Sequence, residues 1–165
     1  MKHLLWMPLL TVSVLLSCST DDKNNENDME NAIEGSWDAT ELKIDSSTAS
    51  ADALLAKQML DYLSDNGCVV LSLTFNSDLT VVADNATDYV EVNTSAGGFV
   101  IPCPDQKDAE TSTYTYEEGV LTIANLNGEP VSIEVVIQDD IMEVDAQALN
   151  IPEFDEKGTL VFTKR

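Results

Sequence analysis

Apolar and polar residues alternate at every second position through eight or nine short segments with turn-forming residues between them. This pattern predicts an all-β protein of antiparallel strands. One stretch with helical spacing, between the first and second strand candidates, is the exception. The chain has 165 residues, 44% of them apolar, which is enough for one domain with a real core. Strands of this number and spacing argue for a barrel or a sandwich.

The folded domain is expected to span residues 33–165, with Gly35-Ser36-Trp37 opening its first strand. Asp52 to Asp65 follows as the helix. Leu55, Met59, Tyr62 and Leu63 fall at helical spacing, Ser50 precedes them as an N-cap, and Gly67 ends the segment. That apolar stripe is expected to pack on the mouth or wall of the β structure, since its polar side is acidic and unsuited to anionic lipid head groups. Val69, Leu71, Leu73 and Phe75 share one face of the second strand, Asn76-Ser77-Asp78 supplies turn chemistry, and Leu79, Val81 and Ala83 resume the alternation. Tyr89 to Asn93 is a further short strand candidate. The connection from Thr94 to Glu110 is long for a barrel, and its Phe99-Val100-Ile101 run suits an extra strand or an apolar lid. Thr113–Tyr116 and Val120–Ile123 flank Glu117-Glu118-Gly119 as a hairpin. Val131, Ile133, Val135 and Ile137 alternate cleanly, Asp139-Asp140 turns the chain into Ile141–Ala146, and Thr159–Thr163 is the last strand.

The N-terminus has its own logic. Lys2 and His3 precede an apolar run from Leu4 to Leu16 that is too short to span a bilayer, which takes roughly 20 residues, but suits an export signal over residues 1–17. Leu15-Leu16-Ser17-Cys18 resembles the lipobox of bacterial lipoproteins, with Leu16 in place of the smaller residue more common there. The resemblance implies that Cys18 is acylated, becomes the new N-terminus and ties the protein to the outer membrane through its acyl chains. Residues 18–32 read as an acidic, disordered tether with almost nothing to bury. It would hold the domain roughly 20 Å from its anchor. Asp21-Asp22-Lys23 loosely resembles the acidic signal that sends some lipoproteins to the cell surface, and a plain solvated linker accounts for it equally well.

Charge and composition exclude several functions. The chain carries 30 acidic against 8 basic side chains, a formal charge of −22. Nucleic acid is thereby excluded as a partner, because its binding needs clustered Lys and Arg. Residues 18–165 retain 7 basic against 30 acidic side chains, hence −23, and contain no histidine and a single arginine, Arg165. Without imidazole, neither Ser-His-Asp nor Cys-His activation of a nucleophile is open to the chain. No phosphate-cradling or dinucleotide motif is present. The expectation is a protein that is not an enzyme, with no cofactor and no metal site.

Gly35-Ser36-Trp37, the run Thr74–Thr80 and the ending Leu160–Arg165 resemble the lipocalin-like domains of secreted bacterial lipoproteins. The resemblance spans residues 34–165 through short motifs. It implies an eight- or nine-stranded up-and-down antiparallel barrel with one helix between strands 1 and 2. Trp37 would be the barrel-closing aromatic, with Lys164 or Arg165 packed over it. The resemblance further implies a small apolar or amphipathic ligand, for which Leu73, Phe75, Tyr114, Tyr116 and Ile133 are the inward-facing candidates. An apolar stripe is more often core than pocket, and an eight-stranded barrel has room for only one or the other. The alternative is an envelope module that docks onto a protein or glycan through its outer surface. Its motives are the long Thr94–Glu110 connection and the one-signed charge, which steers partner choice.

With Cys18 acylated, Cys68 and Cys103 remain as a pair in an oxidising compartment, and a disulfide between them is expected. The paired acids Glu117-Glu118 and Asp139-Asp140 read as solvated turns. Asp84-Asn85-Ala86-Thr87-Asp88 spaces oxygens like a calcium loop but lacks the central glycine and the closing glutamate, so it is read as a turn, with weak calcium binding as the alternative.

Overall fold

Residues 32–95, 98–124, 130–149 and 156–165 are described by a computed structural model of the chain. The signal-like stretch 1–17, Cys18 and the tether as far as residue 31 lie outside the described residues. Eight antiparallel strands close into a barrel in the order β1 (Gly35–Lys43), β2 (Leu71–Phe75), β3 (Thr80–Asn85), β6 (Asp108–Glu117), β7 (Val120–Ala124), β8 (Pro130–Gln138), β9 (Ile141–Asp145) and β10 (Thr159–Lys164), which returns to β1. Between β3 and β6 the chain leaves the barrel to form a separate hairpin of β4 (Asn93–Ser95) and β5 (Gly98–Val100). The Phe99-Val100-Ile101 run thus supplies an extra strand rather than a ninth stave. Tyr89–Asn93 is not a strand: Thr87–Tyr89 is a single 3-10 turn and β4 starts at Asn93. The Asn85 side chain accepts hydrogen bonds from Thr87 N and Oγ1 at 2.9 and 2.7 Å, and this local turn pre-empts extended backbone there.

Closure depends on long strands that change neighbours. The first half of β6, Asp108–Thr113, pairs with β3 and its second half, Tyr114–Glu117, with β7. Likewise Pro130–Glu134 of β8 pairs with β7 and Val135–Gln138 with β9. This stagger is the shear that a tilted, closed sheet needs. In β1 the register slips between Ala39 and Glu41, leaving Thr40 as the extra residue. The bulge moves the inward positions from Trp37 and Ala39 to Leu42, so both ends of the strand face the core. The β6–β7 turn is Glu118-Gly119, both at positive φ (50° and 83°), which is the twist-compatible two-residue hairpin.

The core fills the barrel. Trp37, Phe75, Phe162, Leu121, Met142 and Val144 are all but sealed from solvent, and the Phe75 and Tyr114 rings meet edge-to-face at 5.0 Å. The helix α1 (Ala51–Asp65) packs against β1 and is capped by Ser50, whose Oγ accepts from Ala53 N at 3.2 Å. Its buried face follows the Leu55–Met59–Tyr62–Leu63 spacing only in part, with Leu63 buried and Met59 half-buried. Ala53 and Leu63 are buried and Leu60 packs on the core, whereas Leu55 is 55% exposed and Tyr62 43%. A satellite core of Leu63, Cys68 and Val70, with Leu60, Val90 and Ile101 against it, joins the end of the helix to the β5–β6 connection.

Candidate interaction surfaces around a filled barrel

The five inward candidates, Leu73, Phe75, Tyr114, Tyr116 and Ile133, do converge. They sit on β2, β6 and β8 within one apolar cluster and are between 2% and 7% exposed. The Tyr114 hydroxyl donates to the Asn76 carbonyl at 3.2 Å, and burial raises the pKa of Tyr116. Trp37, Phe162, Leu121 and Met142 belong to the same cluster, so among the described residues these side chains pack against one another.

Trp37 lies at the centre of a closed arrangement. Its indole nitrogen donates to the Ile33 carbonyl at 2.7 Å, and Lys164 Nζ stands 5.0 Å from the ring centroid. Lys164 rather than Arg165 takes the place over the ring, and its ammonium also donates to the Ala32 carbonyl at 3.3 Å. Gly35 makes room for it: at φ 117° no L side chain sits comfortably, and a Cβ there would lie 3.0 Å from Lys164 Cε. Arg165 turns outward and grips Asp38 through both Nε and Nη2, with the first of these bonds at 3.0 Å. That carboxylate holds the guanidinium pKa above its ordinary value.

Cys68 and Cys103 form a disulfide, with Cα atoms 5.2 Å apart. It ties the connection after the side hairpin to the chain between α1 and β2. Around this junction Tyr62, Val69, Val92 and Val100 leave apolar surface exposed. Two concavities among the described residues open on the outer wall. One, of about 270 Å³, lies at the β8–β9 turn beside Val136, Gln138, Asp139, Ile141 and Glu143. The other, of about 130 Å³, lies over β2 and β3.

Register builds the second concavity. Asp38 of β1 stands opposite Ser72 of β2, and Ser72 opposite Asp84 of β3, so the three make one row across the outer face. Arg165 caps the row at Asp38, and Lys107 caps it at Asp84 with a 2.5 Å ion pair. In the sequence Asp84 belongs to the calcium-like spacing, but its carboxylate takes Lys107 instead. The acid pairs Glu117-Glu118 and Asp139-Asp140 stay in their separate turns, and among the described residues no three His, Cys, Asp or Glu side chains gather to hold a metal ion. Sequence reasoning did not reach the Asp38–Ser72–Asp84 row; the outward parity of each residue was its only signal.

The chain matches no protein-family model, no curated protein and no solved structure.

Proposed function

We propose that this protein is a non-enzymatic, lipid-anchored module of the bacterial cell envelope that works through the outside of its barrel, docking onto a protein or glycan partner. The observation that carries the proposal is the filled interior. A ligand inside the barrel would have to displace Phe75, Tyr114 or their neighbours, which now satisfy one another's packing. The outer surface offers an apolar junction near the disulfide and a polar groove over β2 and β3, on a body whose net charge of −22 favours partners that are neutral or basic at the contact. Acylation at Cys18 would set the module at the membrane, with its tether giving it reach.

A small apolar ligand in the barrel is the competing reading, since a closed eight-stranded barrel is a fold that holds such ligands. Native mass spectrometry of the protein with a panel of fatty acids and sterols separates the two. No retained ligand, with Trp37 emission unchanged, is the expected result. A retained ligand whose binding is lost in Tyr116→Ala and Ile133→Ala would overturn the outer-surface reading. The anchor is tested by the mass of the N-terminal peptide: an acylated Cys18 is expected, and a full-length, unmodified N-terminus in envelope fractions would sink it.

A further inference from the structure

The groove over β2 and β3 has the chemistry of a built site. Ser72 lines the groove beside Thr74, and although the residue is only 5% exposed its hydroxyl oxygen opens onto solvent there. Water satisfies that hydroxyl in the free protein, and a ligand hydroxyl can take the water's place. On either side of it stand a carboxylate and a cation: Asp84 with Lys107, and Asp38 with Arg165. The order along the surface is therefore cation, carboxylate, hydroxyl, carboxylate, cation. Arg165 is fixed there by its own backbone, which donates to the Ser36 carbonyl at 2.8 Å.

The charge of this strip decides the ligand class. Two cations and two carboxylates cancel, so no net field attracts an anion, and the −22 charge of the whole chain repels one. A cation gains nothing at a place where Lys107 and Arg165 already hold the carboxylates. A neutral polyol suits it, because each hydroxyl both accepts from a cation and donates to a carboxylate, and both kinds of bond to a charged group are strong. Val69, Val70 and Ala86 provide an apolar side for its C–H face. The volume of about 130 Å³ is the size of one sugar ring, and the groove opens onto the outer wall, leaving room for a chain on either side.

We infer that this groove binds one neutral sugar residue of a larger glycan, between Arg165 and Lys107 and across the Ser72 hydroxyl. The inference rests on the outer-surface reading of function and gives that reading a site and a partner class.

The test is an amide NMR titration of the protein with glucose, N-acetylglucosamine, maltohexaose, galacturonate and sulfate. Neutral sugars are expected to move the amides of Ser72, Thr74 and Ala86, with an oligosaccharide binding more tightly than its monosaccharide. Ser72→Val should weaken binding about tenfold, the scale of one lost hydrogen bond. Lys107→Met changes a residue whose side chain is 59% exposed, and should weaken it similarly. Val136→Ser on the far wall should leave it unchanged. Response to galacturonate or sulfate alone would overturn the inference in favour of an anion site, and equal affinity in Lys107→Met would overturn it by showing that the cation makes no bond to the sugar. Monosaccharides binding as tightly as maltohexaose would overturn the glycan as source. No response to any probe would remove the groove as a sugar site while leaving the outer-surface reading to stand or fall by the fatty-acid and sterol screen.

Discussion

Lys164 Nζ stands 5.0 Å from the centre of the Trp37 ring, joining the end of the last strand to the start of the first. The two residues face each other across the β1–β10 seam, where Trp37 is the register partner of Lys164. This contact closes the barrel with a cation over an aromatic face while the indole N–H is satisfied by Ile33.

Replacing Lys164 with Met keeps the stem and removes the charge. The expected cost is about 1 kcal/mol, with Lys164→Arg close to the parent protein. Urea unfolding followed by fluorescence reads it. Equal midpoints for Met and parent would show that only the methylene stem matters.

The helix makes a contrast that equilibrium unfolding can resolve. Leu63→Ala empties a fully buried position and is expected to cost about 2–4 kcal/mol. Leu55→Ala, on the exposed stripe, should cost less than about 0.5 kcal/mol. Similar losses for the two would mean that the helix lies rotated from the orientation described.

The disulfide between Cys68 and Cys103 spans a separation of 35 residues. In the chain-entropy account such a loop contributes about 4 kcal/mol, so Cys68→Ser should lower the melting midpoint by roughly 10 °C. Limited proteolysis should then cut first near the β4–β5 hairpin, because the junction has lost its tie. An unchanged midpoint would assign the work of holding that junction to the satellite core alone.

In the β2–β3 turn the Thr80 hydroxyl and backbone N–H donate to Asp78 Oδ1 at 2.5 and 3.1 Å, and these bonds hold the carboxyl below the usual aspartate range. The folded-state pKa is lower than the unfolded one. The resulting stabilisation is therefore present above the unfolded value and is lost as pH falls through the folded value, below about pH 4. An NMR titration should place the Asp78 midpoint below those of free aspartates, and Asp78→Asn should flatten this part of the acid limb. A midpoint in the ordinary range would contradict the turn geometry.

Much of the fold was legible because its signals are local. Alternation from Leu71 to Phe75 and from Val131 to Ile137, Glu118-Gly119 at a hairpin and Ser50 before a helix each act within a few residues of themselves. The Cys68–Cys103 disulfide agrees with the pairing expected for an exported chain whose first cysteine is acylated. The helix orientation was legible only in part: Leu63 is buried as its spacing suggests, whereas Leu55 and Tyr62 face outward and Ala53 and Leu60 face inward, because packing against the barrel wall sets the rotation. Tyr89–Asn93 was misread because an Asn85 side-chain turn outweighs a weak strand propensity next to it.

The sequence by itself determined an acidic β protein with no imidazole after His3, its strand series, its single helix and the residue types of its interior. Tertiary structure alone decided that the interior candidates pack as core, that Lys164 and not Arg165 covers Trp37, and that Asp38, Ser72 and Asp84 stand in one row. Alternation assigns each residue a face but says nothing of its cross-strand neighbours. Those follow from register and shear, which the packing of the whole closed sheet sets at once.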